Sequence, residues 1–408
     1  MDDTVRVRRG ETAEIGTVEG SLIVGEGSEL KPGAAGAILV KGEVEFEGSC
    51  EVLSRLEAKN MRGERGRIHI HGDLAVQDSI DLEDVELTVD GGLKADDIDV
   101  GRSLSVKREL SCKGLNVGGR LDIEGNLDGG EIRVGGIASV EGDLKAKELR
   151  VGGNVDAKGS VDLDRLEVGG VARVGGGRID EISVGGIFES RGKLTFKEID
   201  VGGNVRIAAS GEGGDISIGG KLDVDGPLGF EELDVGGAVS VKGSVKGTKV
   251  DVGGKIEVSD SATIEGGLDV GGMANIGGEL RAREIDVGGR LQAKTCSADE
   301  IEVGGEVKTE GGTKAKKFEI GRGGRVKGPL VAERVEVGEG ASAEDIYANS
   351  LEMDGNATAH NVYAKKIHLG PGCRISGETV YTEEFESSEG VRLGSEPKKA
   401  EKLPQPPI

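Results

Sequence analysis

Large rings are scarce in this chain. It has no tryptophan, 3 tyrosines and 6 phenylalanines among 408 residues, so any core must be built from Val, Ile, Leu and Ala. Proline is rare, at 8 residues, and glycine does not recur at every third position, which excludes a collagen-like rod. Apolar residues recur too regularly for a disordered chain. No run approaches the ~18 apolar residues of a membrane-crossing helix. The opening "MDDTVRVRRGETAEIG" has no apolar segment of the secretory type, so a cytoplasmic location is expected. The 4 cysteines are far apart, form no CxxC motif and are expected to be reduced thiols. Clusters of Lys and Arg are also missing. With a formal charge of -23, the chain lacks the basic stripe that neutralises phosphates, so nucleic acid is not an expected partner. The same charge is repelled by anionic lipid, and nothing in the sequence supports a membrane contact.

What is abundant is glycine, 74 residues, and it is periodic. A hydrophobic residue followed by glycine recurs at Val100, Val117, Val134, Val151, Val168, Val184, Val201, Ile218, Val235, Val252, Val270, Val287, Val303, Ile320 and Val337. Eleven of the 14 intervals are 17 residues. Counting from such a marker as position 0, apolar residues fall at positions 4, 6, 10, 12 and 15. In the turn from Val151 these are Val155, Ala157, Val161, Leu163 and Leu166. A spacing of two is the strand period, and three such pairs per turn imply three short strands joined by bends. Paired glycines and this spacing exclude an amphipathic helix. The sequence predicts an all-β fold, a single long three-sided β-solenoid of ~17 residues per coil, in which stacking creates the core. About twenty coils stacked at ~4.8 Å predict a rod on the order of 100 Å.

The glycine pair at positions 1 and 2 reads as a corner, where a positive φ would be needed and where stacked corners leave no room for side chains. The competing reading is a phosphate loop, which requires G-K-[ST] opening a helix. Gly220-Lys221 is followed by Leu222 and Gly254-Lys255 by Ile256, and no G-K-[ST] occurs. No cofactor is expected.

The organisation expected from the pattern is a tail over residues 1–14, irregular coils over 15–99, regular coils over 100–394 and a disordered Pro-rich tail over 395–408. In the irregular part Val18/Leu22/Val24, Val40/Val44/Phe46 and Ile70/Leu74/Val76 match positions 0, 4 and 6, and "SRLEAKNMRGERGR" (54–67) reads as an external loop. Near the C-terminus Cys373 and Ile375 take positions 4 and 6.

Candidate chemistry is sparse, and no residue is expected to be catalytic. Cys50, Cys112 and Cys373 fall on inward positions and read as packing thiols. In "RIHIHGDL", His69 and His71 flank Ile70 and should point outward together, an H-x-H pair that can ligate metal but lacks a third ligand nearby in sequence. A solvated pair is the favoured reading. Position 16 carries Asp234, Asp251, Asp269, Asp286, Glu302, Glu319 and Glu336 in seven successive coils. Stacking would align them as a repulsive column, either a solvated face that blocks sideways aggregation or a face that divalent cations bridge into bundles.

"VEGSLIVGEGSEL" (18–30), "LVKGEVEFEGSCEV" (39–52) and "KKIHLGPGCRISGETV" (365–380) resemble the bactofilins, polymer-forming cytoskeletal proteins. The resemblance implies a right-handed β-helix that assembles end to end into non-polar, nucleotide-independent filaments, flanked by Pro-rich tails. The expected partner is then the chain itself, as a homopolymer. Tyr381, Phe385 and Val391, close to the last coil, are candidates for the end contact or for a cap. The alternatives are a non-polymerising solenoid acting as spacer or surface adhesin and, further off, a solenoid enzyme of the hexapeptide-transferase or polysaccharide-active type.

Overall fold

A computed structural model of the chain describes residues 4–408, which contain no helix. The chain divides into two compact units, Met1–Gly203 and Asn204–Ile408. Each is a β-solenoid of parallel stacked strands with roughly 17 residues per coil.

The turn beginning at Val151 shows why. Val151, Val155, Ala157, Val161, Leu163 and Leu166 are all 3% exposed or less. Each pairs with its counterpart one coil on: Leu149 with Leu166, Val151 with Val168, Val155 with Ala172, Leu163 with Ile179. Two apolar residues per side close a triangular core. The residues between them point outward and carry the charges, so successive coils are also tied by ion pairs such as Arg178 with Asp162 and Asp164.

The glycine pairs are corners, but not for the conformational reason expected. None of the pairs at Gly118–Gly119, Gly135–Gly136 or Gly152–Gly153 has a left-handed φ. Close stacking is what selects glycine: a Cβ on Gly152 would lie 2.4 Å from the Gly135 carbonyl oxygen, and one on Gly153 2.5 Å from that of Gly136. Left-handed corners do occur elsewhere. Gly10 and Gly27 adopt them in the first unit, and Gly323, Gly340, Asn356, Gly372 and Gly390 in the second.

The N-terminal coils depart from the expected frame. The supposed tail holds strands Val5–Val7 and Thr12–Ile15, paired with Leu22–Val24 and Glu29–Pro32, because Val5/Val7 and Ala13/Ile15 already alternate. Residues 1–3 of that tail lie outside the described residues. The supposed loop at 54–67 is also strand, Arg55–Ala58 followed by Asn60–Ile70. Leu56, Ala58 and Met61 are buried, and Gly63 occupies a core position beside Phe46, where a Cβ would meet the Leu82 side chain at 3.1 Å. Each N-terminal apolar triple is displaced by one side of the triangle. Val44 and Phe46 stack through Met61 and Gly63, then Ile80 and Leu82, onto Ile98 and Val100, the marker side. Ile70 stacks through Val89 onto Val106, position 6. An apolar-x-apolar pair looks alike on all three sides, so without the glycine pair its phase is degenerate.

In the second unit the corners after Ile320 lengthen, and Ala341, Ala357 and Cys373 turn fully inward from them. Ile375 consequently stacks on Ala359 and Ala343, the column of Val326 and Val307. This column starts at position 4, so the expected placement of Cys373 at 4 and Ile375 at 6 is off by the corner's extra residues. The final segment is placed too. Lys398–Lys399 pairs with Val380–Tyr381, and Ala400 N donates to Tyr381 O at 2.8 Å. Leu403, Pro404 and Pro406 then line one groove with Ala298, Ala315, Ala332, Tyr347 and Tyr363. Low-complexity composition suggested disorder; an apolar groove built from stacked alanines and tyrosines gives the prolines something to cover.

Candidate functional site

Backbone register brings three separated residues to the H-x-H pair. Strand Asn60–Ile70 sits between Cys50–Val52 on one side and Ser79–Val89 on the other. His69 therefore stacks over Glu51 and under Thr88, while His71 and Asp90 each follow a paired residue, Ile70 and Val89. Asp90 Oδ2 is 3.0 Å from His69 Nε2 and 3.3 Å from His71 Nδ1. The two rings lie 3.9 Å apart between centroids. Glu51 Oε2 is 4.0 Å from the opposite ring nitrogen, His71 Nε2. Asp90 Oδ1 is 2.6 Å from Lys107 Nζ, a close ion pair rather than a well-aligned hydrogen bond. That ammonium holds the half-buried Asp90 carboxyl below the usual carboxylate range. The expected outward orientation of both histidines is observed; Asp90, the third group, was not anticipated. A signal for it exists. "IHIHG" and "LTVDG" share the apolar-x-apolar-x-Gly frame, which aligns His71 with Asp90.

The acidic column is continuous. Asp234, Asp251, Asp269, Asp286, Glu302, Glu319 and Glu336 pair one upon the next. It runs further than expected, through Glu352 and His368 to Glu386. Its two parts differ. Glu319 meets Lys317 at 3.5 Å, Glu336 meets Arg334 at 2.8 Å and His368 Nδ1 meets Glu386 at 3.1 Å. Asp234, Asp251, Asp269, Asp286 and Glu302 form no ion pair among the described residues, and repulsion from Glu319, with burial and Asp286 adding and Lys317 only partly opposing, raises the Glu302 carboxyl above its usual range.

At the C-terminal edge, Tyr381 and Phe385 lie on strand Thr379–Ser387 with ring centroids 5.6 Å apart. Tyr381 is covered by Lys399. Phe385 stacks on Ile367 and stays partly exposed, with no later strand on it among the described residues. Val391 occupies the last left-handed corner, partly exposed where Cys373 is buried one coil earlier. The cysteines are free thiols. Burial pushes Cys50 up to about 11 and Cys112 and Cys296 up to about 12, and raises Cys373, which suits packing rather than nucleophilic groups.

Comparison of the chain with family models, with curated proteins and with solved structures finds no match.

Proposed function

We propose that the chain is a bactofilin-like structural protein of the cytoplasm that self-assembles end to end into filaments without a nucleotide. The observation that carries this reading is the half-strand Glu384–Ser387, which presents its outer edge and the Phe385 ring with no later strand upon it among the described residues. The first coil supports it from the other end of the chain, where Val5 is 39% exposed on a strand whose described pairing is to Leu22–Val24. Unpaired strand edges beside apolar surface are templates for another copy, and a like-on-like contact gives a filament without polarity. Electron microscopy of the purified chain should show filaments; discrete particles alone, at high concentration, would remove the reading. Phe385→Arg should shorten filaments while leaving thermal unfolding unchanged.

A capped, non-polymerising spacer is favoured by a different observation, the strand Lys398–Lys399 lying over Val380–Tyr381. On that reading Phe385→Arg lowers the melting temperature and leaves the particle size alone. The column carboxylates from Asp234 to Glu302, which form no ion pair among the described residues, support a solvated face that resists sideways association. Bundling by divalent cations would instead appear as faster sedimentation in millimolar Mg²⁺ or Ca²⁺.

A further inference from the structure

We propose that His69, His71 and Asp90 form a binding site for a single divalent transition-metal ion of the zinc type. Three elements of geometry carry this, independently of whether the chain polymerises. The ligand atoms of the three residues lie within 4.8 Å of one another, close enough for small shifts to bring them around one ion. They come from adjacent coils whose backbones are locked in register, with Ile70 and Val89 buried and paired directly behind them. His69 sits within the ladder, and His71 and Asp90 are the first residues past it, each still tied by its backbone N–H to the preceding coil, at Val52 O and Ile70 O.

The chemistry of the donors points to the ion class. Two imidazoles and one carboxylate suit Zn²⁺, Co²⁺, Ni²⁺ or Cu²⁺, whereas Ca²⁺ and Mg²⁺ take oxygen. Lys107 occupies Asp90 Oδ1, so the carboxylate offers Oδ2 alone, the oxygen that already faces both rings. With His71 ligating through Nδ1, its Nε2–H faces Glu51, the position from which a carboxylate orients a ligating imidazole. Three protein ligands leave a fourth position to water or to a ligand oxygen. One of the three ligands, His69, itself lines a groove together with Ser49, Cys50, Glu51, Arg67 and Thr88. The other histidines are each held by a single partner, His360 by Ser376 and His368 by Glu386.

The test is titration of the full-length, tag-free, chelator-treated chain with Co²⁺, followed by its visible absorption, and with Zn²⁺ in competition with a chromophoric chelator. One ion per chain is expected, with the intense bands of four-coordinate Co²⁺. His69→Asn, His71→Asn and Asp90→Asn should each weaken binding by about 100-fold or more, with circular dichroism unchanged because these side chains point outward. His360→Asn and His368→Asn should leave it unaltered. No saturable binding up to about millimolar ion, or binding that survives both His69→Asn and His71→Asn, would overturn the proposal.

Discussion

Two stretches of the second unit share one backbone ladder and differ in almost everything attached to it. From Val235 to Val303 the corners are glycine pairs and the carboxylate column has no ion-pair partners among the described residues. From Ile320 onward the corners are left-handed and small side chains turn inward from them, and from Glu319 onward Lys317, Arg334 and His368 punctuate the column. The contrast separates two reasons for glycine. A Cβ on Gly288 would sit 2.4 Å from the Gly271 carbonyl oxygen, although its φ is unremarkable. A Cβ on Gly340 would meet nothing within 4 Å, and only its φ of +67° resists a side chain. The first glycine answers to its neighbour in space, the second to its own backbone.

The largest expected effect tests that distinction. Gly288→Ala must push apart two stacked backbones and should cost about 2–3 kcal/mol in denaturant unfolding, whereas Gly340→Ala should cost about 1 kcal/mol for its left-handed φ. Asparagine sharpens the difference, because Asn356 already adopts φ 59° at an equivalent corner. Gly340→Asn should therefore be milder than Gly340→Ala, and Gly288→Asn no milder than Gly288→Ala. Equal costs at the two sites would erase the contrast.

A middle-sized effect concerns the segment that covers the terminal coils. Tyr347 and Tyr363 stack at 4.8 Å between centroids. Burial, with help from the Tyr363 hydroxyl's bond to Glu378, pushes the Tyr363 phenol up to about 12. Removing residues 401–408 should uncover both rings. With only 3 tyrosines and no tryptophan in the chain, iodide quenching of tyrosine fluorescence reads this directly. Unchanged quenching would mean the tail does not shield the groove in solution.

The smallest effect is electrostatic. The carboxyl of Glu302 is raised, so its charge opposes folding above that value, and protonating it as pH falls relieves the repulsion. Glu302→Gln should leave the neutral-pH melting temperature equal or slightly higher, and Glu336→Gln, which loses Arg334, equal or slightly lower, both within about 0.5 kcal/mol. Further acidification acts oppositely. Asp90 is lowered by Lys107, and Asp180 by Lys197 and Arg178. Stability from those pairs is present above the ordinary carboxylate value and is lost as pH falls through the lowered ones. A melting temperature that only falls from pH 6 to pH 3 would leave the column without a measurable repulsion.

The period, the strand identity and the inward set were readable because each is a local property repeated many times. Val151, Val155, Ala157, Val161, Leu163 and Leu166 announce strands by their two-residue spacing, and hydrophobic burial does the rest. The seven carboxylates were readable for the same reason: each directly precedes a marker residue, and the markers stack. Where the interval varies, the sequence loses the phase, as at Val44 and Phe46, because three chemically equivalent sides cannot be told apart by an apolar pair. Only the register of hydrogen-bonded backbones decides which coil lies on which. That register delivers Asp90 to His69 and His71, 19 to 21 residues away in sequence. It also extends the acidic column to Glu352 and lays Leu403, Pro404 and Pro406 along a groove no local pattern describes.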